Sequence, residues 1–137
     1  SIEKTVVFIS ISDKLLFNSG SYTISNRAKK VLQKVANVVN ERPEMDVMVE
    51  GHTDSRTINT KVLKDNWDLS VKRATSVVRI LQSDYKVAPE RLIAAGRSSY
   101  APLVKNTSSA NRSKNRRTKI IIMPKLDQFL ELLEEKN

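Results

Sequence analysis

The sequence predicts an α+β domain in which helices pack on one layered β-sheet. Three observations support this fold class: short β-branched strands, amphipathic segments at helical spacing between them, and an apolar run close to the end. The predicted order is β-α-β-α-β-β with a further C-terminal helix, and such an order builds one layered sheet. With 137 residues the chain can enclose one hydrophobic core. We therefore expect a single domain over residues 1–137, with its core over about 5–123.

The first third of the chain contains a predicted strand, a loop and a helix. Thr5 to Ile11 is rich in β-branched side chains and predicts the first strand. Asp13 to Thr23 includes an Asn-Ser-Gly-Ser sequence and predicts a loop. Ser25 is a suitable N-cap for a helix that continues to about Asn40 and carries one apolar stripe.

A second strand and a second helix follow. Residues 46–50 alternate and predict a strand that Gly51 ends. Asn66 is a good N-cap for a helix that continues to about Asp84.

The last third contains two predicted strands, a long loop and a helix. Arg91 to Gly96 predicts a short third strand, and Ser98 to Asn115 predicts a polar loop with room for one helical turn. Loops of that length in compact domains are often functional. Thr118 to Met123 is nearly continuously apolar, which predicts a central strand covered on both faces or nearly so. We expect Pro124 to open the terminal helix, over about residues 124–135.

Composition excludes several kinds of site. The chain has no cysteine, so a disulfide, a thiolate metal site and a cysteine nucleophile are excluded. Its longest apolar runs are strand-sized and far shorter than the roughly 20 residues of a membrane span. The formal charge of +9 favours an anionic partner such as nucleic acid, anionic lipid or cell-wall polymer, without choosing among them.

The second predicted helix places an arginine on its apolar side. At 100° per residue, Ser70 and Arg73 point into an arc of apolar side chains, and a buried guanidinium needs an anionic partner. Two interpretations remain open: a structural ion pair with Asp54 or another acid, or a receptor for a ligand carboxylate. The apolar arc comprises Leu69, Ala74, Val77, Val78 and Leu81.

Asp54 lies where a predicted strand ends and a loop begins. Alone, an acid at that position is most simply an Asx-type turn. Binding residues are often carried on loops that a rigid scaffold holds. Together with an inward arginine, Asp54 predicts a receptor for a zwitterion, in which a carboxylate holds an ammonium and Arg73 holds a carboxylate.

The single histidine and the single tryptophan favour structural roles. His52 has no serine, cysteine or metal-ligating partner at a recognised spacing, so we expect a hydrogen-bonded residue at a strand end. Trp67 is most simply a packing anchor at the start of its helix. No catalytic residue, metal or cofactor is predicted, although a pair of carboxylates would still permit a hydrolase.

A basic cluster precedes the fourth predicted strand. Arg112, Arg116 and Arg117 are most often a solvated charge run, but the start of a central strand would bring them near the sheet edge that carries Asp54. Neighbouring residues of a strand point to opposite faces, so Arg116 and Arg117 cannot both face one site. We expect one of these arginines to support an anion site and the others to lie on the surface.

Four motifs occur in order along the chain: Gly51-His52-Thr53-Asp54, Asn66-x-x-Leu69-Ser70-x-x-Arg73-Ala74, Arg91-Leu92 with Gly96, and Arg112-x-x-Asn115-Arg116-Arg117. Together they resemble the OmpA-like peptidoglycan-binding domain family, which includes the C-terminal domains of OmpA, peptidoglycan-associated lipoproteins and MotB. The similarity covers roughly Thr5 to Met123.

The resemblance implies a four-stranded mixed sheet with helices on one side, and non-covalent, non-catalytic binding of the peptidoglycan stem peptide. It implies that Asp54 binds the ammonium, and Arg73 the carboxylate, of meso-diaminopimelate. Further residues would line or support the same pocket: Thr53, Asn66, Leu69, Arg112 and Arg116, with the loop from Phe17 to Gly20 as its other wall.

The resemblance also implies where such a domain works and with what. The expected partner is the peptidoglycan stem peptide, with no nucleic acid and no cofactor. Membrane association would come only through segments outside this chain. The expected location is the periplasm, tethered to the outer membrane of a Gram-negative bacterium, and the oligomeric state is left open.

Two alternatives remain. The gap between Asp54 and Asn66 is longer than in many outer-membrane members and lacks glycine, which, with Trp67, is more similar to the MotB branch and favours a flagellar stator domain. The net charge of +9 suggests a nucleic-acid-binding module. Only 5% of residues are aromatic, and no nucleic-acid-binding motif is recognised.

Overall fold

A four-stranded mixed sheet forms the centre of the computed structural model, which describes residues 7–125, 130–131 and 133–134. The strand order is β1-β4-β2-β3. β4 pairs antiparallel with both β1 and β2, and β2 pairs parallel with β3, so the sheet is mixed as predicted. The strands are β1 Val7–Ser12, β2 Met45–His52, β3 Leu92–Gly96 and β4 Arg117–Pro124.

Two long helices cover one face of this sheet. α3 packs against β2 and β3, and α2 packs beside α3. Ser25 caps α2 as predicted, because its side chain accepts a hydrogen bond from the Ala28 N–H. The helices are α1 Asp13–Leu16, α2 Asn26–Asn40, α3 Asn66–Ser83 and α4 Ser109–Asn115, with a 3-10 turn at Pro89–Arg91.

β4 lies at the centre of the sheet, as predicted, but only one of its faces is fully covered. Ile120 and Ile122 are completely buried against the helices, whereas the alternate residues Lys119, Ile121 and Met123 are half-buried. The near-continuous apolar run therefore predicted more burial on the second face than the structure shows. The burial of β4 residues alternates, as it does in a sheet with helices on one face only.

Gly51 lies inside β2 and does not end it, contrary to the prediction. It pairs with Gly96 on β3 and with Thr118 on β4. A Cβ atom at this position would overlap the carbonyl oxygen of Ser70 in α3. The glycine is therefore a contact residue that lets the helix backbone approach the sheet closely.

Three boundaries within the first 91 residues differ from the prediction. Asp65, not Asn66, caps α3, since its side chain accepts the Asp68 N–H at 3.1 Å. The predicted loop after β1 begins with the single turn of α1. Arg91 precedes β3 and is buried, donating hydrogen bonds to the carbonyl oxygens of three residues around the end of α2.

The last part of the chain matches the prediction in part. The predicted loop from Ser98 to Asn115 contains α4, which is longer than the single turn that was expected. Pro124 ends β4 and does not open a helix. Residues 130–131 and 133–134 are helical, as expected. The other parts of the predicted terminal helix, and the predicted start of β1 at Thr5, lie outside the described residues.

Candidate functional site

The sheet topology brings three chain segments together at one edge. Ser12 at the end of β1 and His52 at the end of β2 both pair with Arg117 at the start of β4. The residues immediately outside these strand ends therefore converge, although they are far apart in the sequence. Asp13, Asp54 and Arg116 meet in this way.

A cavity of about 280 Å³ lies at this edge, between the strand ends and the start of α3. Seven of the nine predicted site residues line it: Gly20, Thr53, Asp54, Asn66, Leu69, Arg73 and Arg116. Phe17 and Arg112 do not. The cavity wall also includes Ser19, which belongs to the predicted loop from Phe17 to Gly20. It further includes four residues that the sequence interpretation did not single out: Asp13, Arg56, Thr57 and Ile58.

Four charged side chains, here called the charge quartet, dominate this cavity: Asp13, Asp54, Arg73 and Arg116. The Nη1 atom of Arg73 donates to Oδ1 of Asp13. Nη1 of Arg116 lies 2.6 Å from Oδ2 of Asp54, and its Nε lies 3.9 Å from Oδ2 of Asp13. Two carboxylates and two guanidinium groups thus neutralise one another in the cavity wall, with Asp13, Asp54 and Arg73 buried and Arg116 half-buried.

The partner of Arg73 is Asp13 and not Asp54. Both members of this pair are buried, with 3% of Arg73 and 7% of Asp13 exposed. Burial raises the pKa of Asp13 and lowers the pKa of Arg73, since desolvation disfavours each charged form. Sequence reasoning missed Asp13, although one signal was present: an acid directly after the first strand, as Asp54 follows the second.

The guanidinium of Arg73 is held from three sides. Its Nε donates to the Ser21 carbonyl oxygen at 2.8 Å, its Nη1 binds Asp13, and its Cζ lies 4.8 Å from the ring centroid of Phe17. Phe17 therefore supports the arginine without lining the cavity. A fork held in this way needs little reorganisation to receive a carboxylate.

Asp54 is held by the turn that it begins. Its Oδ1 accepts the Arg56 N–H at 2.9 Å, which is the Asx-type turn that the sequence suggested. Its Oδ2 faces Arg116 and lies 3.7 Å from the largely exposed Arg56 side chain. The Asn66 side chain donates to the Arg56 carbonyl oxygen at 2.9 Å and to that of Asp54 at 3.4 Å. Asn66 therefore fixes the loop instead of capping its helix.

Only one arginine of the basic cluster faces the cavity, as the strand geometry predicted, but the other two are not both on the surface. Arg116 faces the cavity, as one of the three arginines was expected to do. Arg117 is buried and not on the surface, and it donates to the carbonyl oxygens of Ala101 and Asn115. Arg112 is half-buried, and its Nε has no partner among the residues that the structure describes.

His52 is hydrogen-bonded at a strand end, as expected. Its Nε2 lies 2.6 Å from Oε1 of Glu50, and burial lowers its pKa.

Within the described ranges, no group of three His, Cys, Asp or Glu residues could hold a metal ion, and none of the helices could cross a bilayer.

Trp67 packs against one aromatic neighbour and stays about half exposed. Its side chain is 48% exposed, and its ring centroid lies 5.5 Å from that of Tyr100. The predicted packing role therefore rests on a surface contact and not on burial in the core.

Comparison with known proteins identifies the family. The sequence profile described as the OmpA family matches residues 16–116, about three quarters of the chain. The chain belongs to the OmpA family. It is 31% identical over 119 residues to Motility protein B of Bacillus subtilis, a match that covers 87% of this chain and 46% of that protein. The chain thus spans less than half of that relative.

Solved structures share the fold. A MotB-like protein from Desulfovibrio vulgaris superposes with a TM-score of 0.81 at 28% identity, covering 89% of this chain and 78% of the other. The cell wall anchor of the T6SS from Pseudomonas aeruginosa superposes with a TM-score of 0.79 at 28% identity, covering 90% of each chain. These similarities confirm the predicted family and the α+β fold with its four-stranded mixed sheet.

Proposed function

We propose that this OmpA-family domain binds peptidoglycan without catalysis and anchors an envelope protein to the cell wall. The charge quartet carries the proposal. A zwitterionic amino-acid centre presents one ammonium and one carboxylate, so it can exchange partners with two internal ion pairs and leave the total charge balanced. An isolated anion or cation would leave one buried group uncompensated.

In the proposed complex, Asp54 holds the ligand ammonium and Arg73 holds the ligand carboxylate. Arg73 retains its hydrogen bond to Ser21, so the fork stays in place as it binds. Asp54 retains the Arg56 N–H on Oδ1, and its Oδ2 exchanges Arg116 for the ligand ammonium. Thr53 and Leu69 are buried and complete the cavity wall beside these contacts.

The ligand that fits this arrangement is meso-diaminopimelate in an uncrosslinked stem peptide. One of its amino-acid centres lies in the peptide, and the other remains free at the end of the side chain. That free centre supplies both charges. A lysine at the same position supplies only the ammonium and would leave Arg73 without a ligand.

Two relatives support the cellular setting. One solved neighbour is named a cell wall anchor, and another relative, 28% identical over 88% of this chain, is named peptidoglycan-associated lipoprotein. A periplasmic location, with attachment to the outer membrane or to a motor complex, would follow. The similarity to Motility protein B favours the motor as the second candidate.

A sacculus pull-down tests the proposal. Asp54→Ala and Arg73→Ala should each abolish co-sedimentation, because truncating one member of a buried charge pair costs about 2–5 kcal/mol of binding. Asp84→Ala and Arg79→Ala, which remove the same charges from exposed positions on or next to α3, should bind normally.

Circular dichroism and thermal unfolding show whether each variant is folded. Normal co-sedimentation of both folded cavity variants would contradict the proposal. Loss of the fold in both would assign the charge quartet a structural role.

A further inference from the structure

A second groove adjoins the cavity and contains the most exposed aromatic side chains near it. It has a volume of about 550 Å³ and shares Thr57, Ile58 and Asn66 with the cavity wall. Trp67 and Tyr100 stand in it 48% and 71% exposed, and they pack against each other. We call Trp67 and Tyr100 the aromatic platform.

Hydrogen bonds hold the turn that leads to the aromatic platform. Ser98, two residues before Tyr100, has a φ of 51°, a left-handed conformation that a non-glycine residue adopts at a cost. Its N–H donates to Oγ of Ser70 at 3.1 Å, and its carbonyl oxygen accepts the Thr53 N–H at 3.0 Å. The turn that presents Tyr100 is therefore tied both to α3 and to the cavity wall.

The chemistry of the groove matches a sugar better than a protein surface. Hydroxyl and amide side chains surround the two aromatic rings, including those of Ser55, Asn59 and Ser99. A protein interface of useful size has an extended apolar centre, which two rings do not supply. An N-acetylated sugar has one apolar C–H face for an aromatic ring and hydroxyl and acetamide groups for hydrogen bonds.

We infer that the aromatic platform binds an N-acetylated sugar of the glycan strand, next to the stem peptide in the cavity. This inference rests on the proposed function. Stem peptides are covalently attached to the glycan, so a peptide held by the charge quartet brings a sugar close by. The groove that continues from the cavity through Asn66 gives that sugar its place. The two subsites would read peptide and glycan together.

The test compares two probes by calorimetric titration: a diaminopimelate-containing tripeptide, and the same tripeptide on its N-acetylated disaccharide. The natural domain should bind the disaccharide form about three- to tenfold more tightly, as expected for stacking on an aromatic side chain. Trp67→Ala and Tyr100→Ala should each reduce this advantage and leave the affinity for the free tripeptide unchanged.

Phe8→Ala is the matched control. Phe8 is an aromatic residue that is 60% exposed on β1, outside both grooves. It should preserve the affinities for both probes. Trp67 is the only tryptophan, so its fluorescence gives a second measurement: the disaccharide form should change it more than the tripeptide does.

Each outcome separates the two proposals. If neither probe binds the natural domain, the proposed function fails. If both probes bind equally well, the aromatic platform does not bind the glycan, and the proposed binding of the stem peptide in the cavity still stands. If the platform variants weaken both probes alike, Trp67 and Tyr100 only support the cavity. If they instead abolish self-association measured by sedimentation, the platform contacts a second copy, and the glycan assignment is overturned.

Discussion

Removing Asp13 should destabilise the protein more than removing its partner Arg73. Without Asp13, Arg73 stays buried and charged, because a guanidinium does not lose its proton in a protein. Without Arg73, Asp13 can take up a proton, and burial already raises its pKa. The two halves of one ion pair should therefore have unequal effects on the free energy of unfolding.

The structure sets the magnitude of each change. Breaking a buried pair by removing one member typically costs about 3–5 kcal/mol. Arg73 would keep its hydrogen bond to Ser21 and its contact with Phe17, so Asp13→Ala should lie near the lower limit, at about 3 kcal/mol. Arg73→Met should cost about 1–2 kcal/mol, because a neutral Asp13 avoids most of the desolvation penalty.

Urea unfolding at pH 7 measures both variants and the double variant. With a slope of about 1–3 kcal/mol per molar urea, Asp13→Ala should lower the midpoint by at least about 1 M. The double variant should be more stable than Asp13→Ala alone, because no uncompensated charge remains. Additive effects of the two changes, or a larger cost for Arg73→Met, would refute this description of the charge quartet.

Three further expectations concern pH, salt and close packing. His52 has a lowered pKa in the folded protein, so the unfolded chain binds a proton more readily. The free energy of unfolding should therefore fall as the pH drops below about 6.5. His52→Gln should reduce this fall in a stability–pH profile. Arg116→Ala should weaken peptide binding at low and high salt, whereas Arg112→Ala should have little effect at high salt, where unpaired charges are screened. If titrations show the same salt dependence for both variants, the arginines act only as a diffuse positive patch. Gly51→Ala should lower the free energy of unfolding by about 3 kcal/mol or more, because the new Cβ meets the α3 backbone. Gly20→Ala should lower it by about 1 kcal/mol, because only its φ of 68° is strained. Similar shifts of the melting temperature for both variants would contradict the packing argument.

Periodicity predicted most of the fold. The bounds of α2 and α3 and the existence of all four strands follow from spacing and capping residues, which act over a few positions. Local signals failed where the deciding contact is distant. Gly51 was taken as a strand end, since the sequence does not show that α3 crosses the sheet there. Asn66 was taken as a cap, although Asp65 beside it is an equally good cap and only the fold chooses between them.

The sequence predicted most residues of the candidate site but not which acid pairs with which arginine. The inward position of Arg73 follows from helical spacing, and the turn at Asp54 follows from its place after a strand. The partner of Arg73 lies 60 residues away, and the register of β1 against β4 places it there. The partner of Trp67 could not be predicted for a similar reason, since Tyr100 lies on a loop without periodicity.

Competition for sacculus binding tests the central claim most directly. A stem tripeptide that contains meso-diaminopimelate and the same tripeptide with L-lysine in its place would each be titrated against the domain bound to purified sacculi. The diaminopimelate peptide should displace the domain, and the lysine peptide should compete poorly, because the lysine side chain ends in an ammonium alone and offers no carboxylate beside it to Arg73. Equal displacement by both peptides, or none by the diaminopimelate peptide, would contradict recognition of a zwitterionic centre by the charge quartet.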